Sequence, residues 1–428
     1  MRDSVYLFIF VCRQFDMKLS ALILSSAITF IFFSSAHAGG FQISSQSQKA
    51  ASMGGSQTAM YSDAATVFYN PGGMVFIGKN TLSAGGFLLM PAVAYRSPLT
   101  GKVTQSDKVN IIPFYLGGSV MIGEKIASGI MVNSPFGYAT KWAHNWEGRY
   151  TFRSARLKTV FIQPTASVKI SEKFGFGAGF VMAVANYKWN RAIGVASASA
   201  TDGDVSADGK SFGYGFNAGL HFHANDKLDM ALTYRSKVKL NFKNTDFSFS
   251  QIPSSLSSYY PSALKADATM PLPSVLSLAF AYKATDELTF HLETNLTGWS
   301  SFDSLNYSFE ENYNYLDNEF KQTRKYRDVI AVRLGVQYAF TETLQGRAGV
   351  AYDQSPVKDN FITTDMPDAD KYVFGLGLGY SWKSGFTLEC SYQFETKRER
   401  QGQNSDTQLD GSYSSIMHGA GLGISYKF

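Results

Sequence analysis

The chain is short of nearly everything that marks a soluble enzyme or a helical membrane protein. It has two cysteines in 428 residues, Cys12 and Cys390, too few for a disulfide framework or a metal-spaced cysteine set. Charge is nearly balanced, 39 Lys and Arg against 34 Asp and Glu, too weak to argue for a nucleic-acid partner, and no basic block or binding motif supports one. Only one apolar run is long, Leu19 to Phe33, and it falls short of the roughly 20 residues that span a bilayer as a helix. That run follows the basic start Met17-Lys18 and ends in Ser34-Ser35-Ala36-His37-Ala38, the pattern of a secretory signal cleaved after Ala38. Residues 1–16 then read as an upstream extension from a start codon set too early.

Catalytic assemblies are missing as well. His221 and His223 share a strand face, but no cysteine, third histidine or spaced carboxylate accompanies them, so no metal site is expected. His291 and Glu293 read as members of a polar interior, and no serine sits in a nucleophile motif. The run Gly375-Leu376-Gly377-Leu378-Gly379 has no helix after it and is no nucleotide loop. Neither an enzyme nor a cofactor is expected.

What the chain does have is aromatic residues and glycine: 34 Phe, 24 Tyr and 38 Gly. They fall in alternating rows. Ile416, His418, Ala420, Leu422, Ile424, Tyr426 and Phe428 share one strand face, and Met417, Gly419, Gly421, Gly423, Ser425 and Lys427 the other. Phe374, Leu376, Leu378, Tyr380 and Trp382 repeat the pattern against small and polar partners, as do Ile330 to Phe340 and Leu288 to Leu296. These runs reach about ten residues, the length of a tilted strand crossing a bilayer, with aromatics toward their ends. Connections alternate between short turns, such as Ser171-Glu172-Lys173 and Ala224 to Lys227, and long polar stretches. The stretches are Ser197 to Lys210, Asn244 to Asp267, Asp303 to Lys321, Asp353 to Asp370 and Thr396 to Gln408, read as extracellular loops. The pattern predicts an all-β membrane protein, a closed antiparallel barrel of fourteen strands over residues 80–428 with both ends periplasmic. Phe428 resembles the terminal aromatic signal of barrel-assembly substrates. A lumen of that width is too large for side chains alone to fill.

Residues 39–79 read differently. Gln42 to Met60 is rich in Ser, Gln, Ala and Gly, and Asn70-Pro71-Gly72-Gly73 makes a defined turn. A plug inside the barrel and a disordered periplasmic tail are both open, and the Phe and Met content favours the plug. Here the chain resembles the FadL family of outer-membrane transporters for long-chain fatty acids and hydrocarbons. Gly40-Phe41-Gln42 looks like the family's mature start, and Asn70-Pro71-Gly72 like its Asn-Pro-Ala hatch motif. Pro135-Phe136-Gly137 with Trp142 and Gly148-Arg149-Tyr150 resembles the third-strand region, and Tyr352 to Val357 with Pro367-Asp368-Ala369-Asp370 a late loop signature. The resemblance implies a fourteen-stranded barrel, an N-terminal hatch, an extracellular capture site and a lumenal binding pocket. Gly72 departs from the family's usual Ala.

An oily cargo gains nothing by entering water. Burial is worth roughly 0.8 kcal/mol per methylene, so a sixteen-carbon tail prefers an oily pocket or the bilayer by about 10 kcal/mol. Sideways exit through the wall is the cheap route, and it needs a broken ladder. Asn133-Ser134-Pro135-Phe136-Gly137 interrupts the third strand, and Pro113 and Gly117-Gly118 its neighbour; the resemblance implies a kink beside a lateral gap at this position. Arg191, at the end of the fifth strand, matches a ligand-contacting arginine of the family. Phe136, Trp142 and Trp146 are expected in an apolar capture surface, with Arg149, Arg153 and Arg156 steering anions at the mouth or meeting lipopolysaccharide phosphates. The expected partners are a long-chain fatty acid or other hydrophobic ligand, outer-membrane lipid and lipopolysaccharide. The rivals are a diffusion porin, an adhesin barrel and a lipolytic barrel.

Overall fold

In a computed structural model the described residues are 39–194, 202–252, 260, 263–309, 319–404, 407 and 409–428. The leader and its cleavage point lie outside them. Hydrogen-bonded segments make fourteen antiparallel staves, some broken once. They are β1 (Thr81–Arg96), β2 (Phe114–Ile122), β3 (Ile126–Asn133, resumed at Gly137–Lys141), β4 (Ser154–Ser171) and β5 (Phe174–Ile193). There follow β6 (Gly203–Asn225), β7 (Leu228–Arg235 and Val238–Ser250), β8 (Ala263–Leu272 and Val275–Lys283), β9 (Leu288–Thr297 and Ser304–Phe309) and β10 (Glu319–Thr323 and Val329–Ala339). The last four are β11 (Leu344–Asp353), β12 (Lys371–Ser381), β13 (Phe386–Gly402) and β14 (Gly411–Lys427). β1 pairs with β14 from Thr81↔Lys427 to Arg96↔Ser412, so the cylinder closes. Closure removes the edge that lipid could not satisfy.

The oily rows point outward. Leu422, Ile424, Leu376, Leu378, Phe216 and Leu334 are all exposed, as a lipid-facing wall requires. No helix among the described residues is long and apolar enough to cross a membrane. The extracellular stretches are a partial correction. β6 already begins at Gly203, β7 runs to Ser250, β8 starts at Ala263, and β13 continues to Gly402. Alternation had stopped there because no lipid faces those residues, yet the ladder goes on. Cross-strand charges flank it: Lys243 meets Asp267 and Lys265 meets Asp246.

Inward glycines leave room for the amino-terminal segment, which lies against the inner wall. It holds two short helices, α1 (Gln48–Ser52) and α2 (Thr66–Tyr69), and a 3-10 turn at Pro71–Phe76. A Cβ on Gly421 would lie 2.2 Å from Gln48 Oε1, and one on Gly377 1.9 Å from Ser52 Oγ. The small inner face of these strands is therefore a close-approach seat. Buried charge fixes the segment to it. Glu293 accepts from Gln57 N at 3.0 Å, Thr58 N at 3.0 Å and Thr58 Oγ1 at 2.8 Å. Arg333 donates to the Gly54 carbonyl at 2.8 Å, and Lys49 pairs with Asp63 and with Glu389 at 3.7 Å. Arg235 donates to the Phe68 carbonyl at 2.7 Å. Toward the extracellular end the interior turns aromatic, with Trp142, Trp189, Trp299, Phe242 and Tyr307 in one cluster.

Candidate functional site: a gap in the wall beside an inner cavity

β2 and β3 pair from Ile122↔Ile126 as far as Tyr115↔Asn133, and there the ladder stops. Pro113 has no N–H to offer, and its carbonyl accepts from Phe87 of β1 at 3.0 Å, on the side away from β3. β3 breaks at Ser134-Pro135-Phe136 and resumes at Gly137, paired to β4 alone. Its partners step from Asn133↔Phe161 to Gly137↔Lys158, four residues against three, so one extra residue is bulged out. The next backbone bond between the two sides is Asp107 N to the Lys141 carbonyl at 2.7 Å. Between these points residues 108–114 face 134–140 with no ladder, and among the described residues Arg156 of β4, donating to the Asn110 carbonyl at 3.0 Å, reaches across.

The kink's backbone groups are satisfied from inside instead. Ile43 N donates to the Pro135 carbonyl at 2.9 Å, and Gly137 N to the Phe41 carbonyl at 3.0 Å. Thr159 Oγ1 serves both polar groups of Phe136, and Gln46 Nε2 donates to the Ser134 carbonyl at 3.2 Å. The start of the amino-terminal segment thus takes the hydrogen-bonding place that a neighbouring strand would hold.

Behind the gap is a cavity. Phe41, Leu89, Val93, Ile111 and Tyr138 give it an apolar side, and Lys371, Lys397, Glu395 and Asp365 a charged end. Lys397 pairs with Asp368 at 2.7 Å, and Lys371 lies 3.4 Å from Asp353 and 3.6 Å from Glu395. Asp368 also accepts from Gly40 N at 2.9 Å and Ser355 Oγ at 2.8 Å. Burial alone would raise its pKa, but Lys397 and these donors hold it below the ordinary carboxylate value.

The residues singled out in the sequence separate into two groups. Of Asn133 to Gly137, Ser134, Pro135 and Phe136 form the break, and Asn133 and Gly137 are the paired residues that flank it. Asn70, Pro71 and Gly72 form the start of the 3-10 turn: Asn70 Oδ1 accepts from Gly72 N at 3.0 Å, and Pro71 opens the turn. The five expected ligand contacts do not line the cavity. Phe136 is buried against Phe41, at 6.1 Å, and Phe161, at 5.8 Å. Trp142 and Trp146 are no exposed surface: they are 2% and 3% exposed and stacked at 4.4 Å. Their indole N–H groups are bonded to the Thr364 and Phe152 carbonyls. Arg149 is ion-paired to Asp202 at 2.6 Å, and Arg191 lies over the Phe320 ring at 4.7 Å. Alternation locates a side chain's face but not what covers it: Thr364 and Asp202 come from connections distant in sequence, and Phe320 from β10. The lysines at the cavity's charged end were missed for the same reason. Their signal was the polar inner faces of β12 and β13.

A profile of the family described as outer membrane protein transport protein (OMPP1/FadL/TodX) matches residues 30–428. The long-chain fatty acid transport protein of Salmonella typhi is 24% identical over 78% of this chain and 82% of its own length. The crystal structure of a Pseudomonas aeruginosa FadL homologue superposes with a TM-score of 0.81 at 20% identity, over 91% of this chain and 100% of that one. The Pseudomonas putida toluene transporter TodX superposes at 0.71 with 16% identity, over 91% and 99%.

Proposed function

Because this chain belongs to the OMPP1/FadL/TodX family, outer-membrane proteins that transport hydrophobic compounds, we propose that its cargo is a long-chain fatty acid that leaves sideways through the wall between β2 and β3. The observation that carries this reading is the apolar cavity lying directly behind an unpaired stretch of wall. The acid's tail lies along Phe41, Leu89, Val93 and Ile111, and its carboxylate meets Lys397 and Lys371, which share their charge with Asp368, Asp353 and Glu395. A cation in a mostly apolar pocket is what a fatty-acid head group needs. Residues 39–79 act as a hatch, and Gly40 to Ile43 form its movable part, since they stand between the cavity and the gap. Moving them aside joins the cavity to lipid without opening a water path, because the seat of α1 and the Pro71 turn stays closed.

The kink is tested by straightening it. Pro135→Val with Gly137→Ala, in a barrel that keeps its heat-modifiable migration, is expected to abolish uptake of a labelled sixteen-carbon acid; undiminished uptake rejects lateral exit. The cargo is tested by binding. Lys397→Met is expected to weaken the acid at least tenfold and leave a hydrocarbon of equal length unchanged. Equal effects on both, or tighter binding of toluene than of the acid by the unaltered protein, would assign a neutral cargo instead.

A further inference from the structure

We propose that His221, His223 and Asp229 form a binding site for a late first-row divalent cation such as zinc, at the periplasmic end of the lumen. From the sequence the two histidines lacked a third ligand. The pairing supplies it, since His223 on β6 lies directly opposite Asp229 on β7. One ligand atom from each residue falls in a group no wider than 4.8 Å. Around a tetrahedral zinc, ligand atoms at 2.0–2.2 Å from the metal stand about 3.4 Å apart. His221 Nε2 already lies 3.4 Å from Asp229 Oδ1, and His223 Nδ1 is in contact with the same oxygen. Completing the triangle asks the longest edge to close by up to about 1.4 Å and the His223–Asp229 contact to open by about 1 Å. Two imidazoles with a carboxylate, and a fourth position left for water, suit zinc or its neighbours rather than magnesium or calcium.

The surroundings favour a built site over a chance cluster. The His221 ring is fully buried, and the partner its Nε2 faces is the Asp229 carboxylate at 3.4 Å. Tyr61 packs edge-on to both rings, at 4.9 and 5.2 Å, and Phe76 lies 4.4 Å from His223. These aromatics come from the amino-terminal segment and pack against both imidazole rings. His223 and Asp229 are partly exposed beside the short turn between β6 and β7, which gives an ion a way in.

A bound ion would be felt at the Asn70 turn. His221 Nδ1 lies 3.2 Å from Asn70 Nδ2, and that amide's orientation is fixed because its oxygen accepts from Gly72 N. Nδ1 is therefore the acceptor here. A metal on Nε2 requires the proton on Nδ1, where it would point at a donor. Metal binding and the Asn70–His221 bond therefore exclude each other, and an acceptor at position 70 would relieve the conflict in the manner of a carboxylate–histidine–zinc triad.

The test uses the folded barrel in detergent, purified without a histidine tag, stripped with chelator and titrated with zinc or cobalt. One ion per chain is expected, with the intense visible absorption of four-coordinate cobalt. His223→Ala and Asp229→Asn should each weaken binding at least tenfold in barrels that keep their heat-modifiable migration, and Asn70→Asp should tighten it. Absence of stoichiometric binding by the unaltered protein overturns the proposal. So does unchanged affinity in a folded His223→Ala barrel, or an Asn70→Asp barrel that binds no more tightly.

Discussion

The amino-terminal segment is held in two unlike ways along its length. From Lys49 to Phe76 it is fastened by buried charge: Glu293 on two backbone N–H groups, Arg333 on the Gly54 carbonyl, Lys49 among Asp63 and Glu389. From Gly40 to Ile43 its backbone is held by two bonds to the kinked wall and one to Asp368. Removing a partner from the first set strands a buried charge, while releasing the second breaks three backbone hydrogen bonds and leaves Asp368 still paired with Lys397 and Ser355. The difference fits the proposed hatch: the part held by backbone bonds alone, apart from Asp368, is the part lying against the gap.

The largest effect is expected from breaking the anchor. Glu293→Ala leaves the Gln57 and Thr58 N–H groups without their acceptor, at a cost of roughly 3 kcal/mol, and should give a steady aqueous current in planar bilayers that the unaltered protein lacks. Gly72→Ala comes next. A Cβ there would stand 2.6 Å from the Gly219 carbonyl oxygen and 2.9 Å from that of Gly175, so about 1–3 kcal/mol of overpacking strain is expected, read as a lower unfolding temperature. Asp368→Asn should act at the other end only. Hydrogen exchange at Gly40 to Ile43 should quicken about tenfold, roughly 1.4 kcal/mol of lost local stability, with Gln57 and Thr58 unchanged; equal loosening of both would erase the distinction. The gentlest probe is pH. Asp368 has a folded pKa below its ordinary value, so its contribution is fully present above the unfolded carboxylate value, about 4, and is lost as pH falls through the lowered one. Protection of Gly40 to Ile43 should stay flat from pH 7 to 5 and drop only in stronger acid.

The wall was legible because lipid imposes a period of two on every strand it touches, and Leu422, Ile424 and their equivalents obey it. The kink was marked by Pro135, which lacks a ladder donor, together with Gly137 just after it; Pro91 and Pro164 sit inside unbroken strands. Where lipid stops, so does the signal, and the strands that continue through Gly203 to Lys210 and from Lys397 to Gly402 read as loops. The inner face was visible only as small or polar. That Gly377 and Gly421 are a seat for α1, that Lys371 and Lys397 meet at one cavity, and that Asp229 stands opposite His223 all depend on pairings across many residues. Trp142 and Trp146 were misjudged because a tryptophan near a rim has the same sequence signature whether it is bare or covered.

The most direct measurement follows the cargo itself. A sixteen-carbon acid with a photoreactive diazirine at its tail, loaded into the barrel in bilayers and illuminated during uptake, should cross-link to Ile111, Pro113 and residues 136–139, and to neighbouring lipid. Cross-links running instead past Tyr61 and Phe76 to the periplasmic turns, with none along the gap, would mean that the cargo travels down the bore and that the break in the third strand is not its exit.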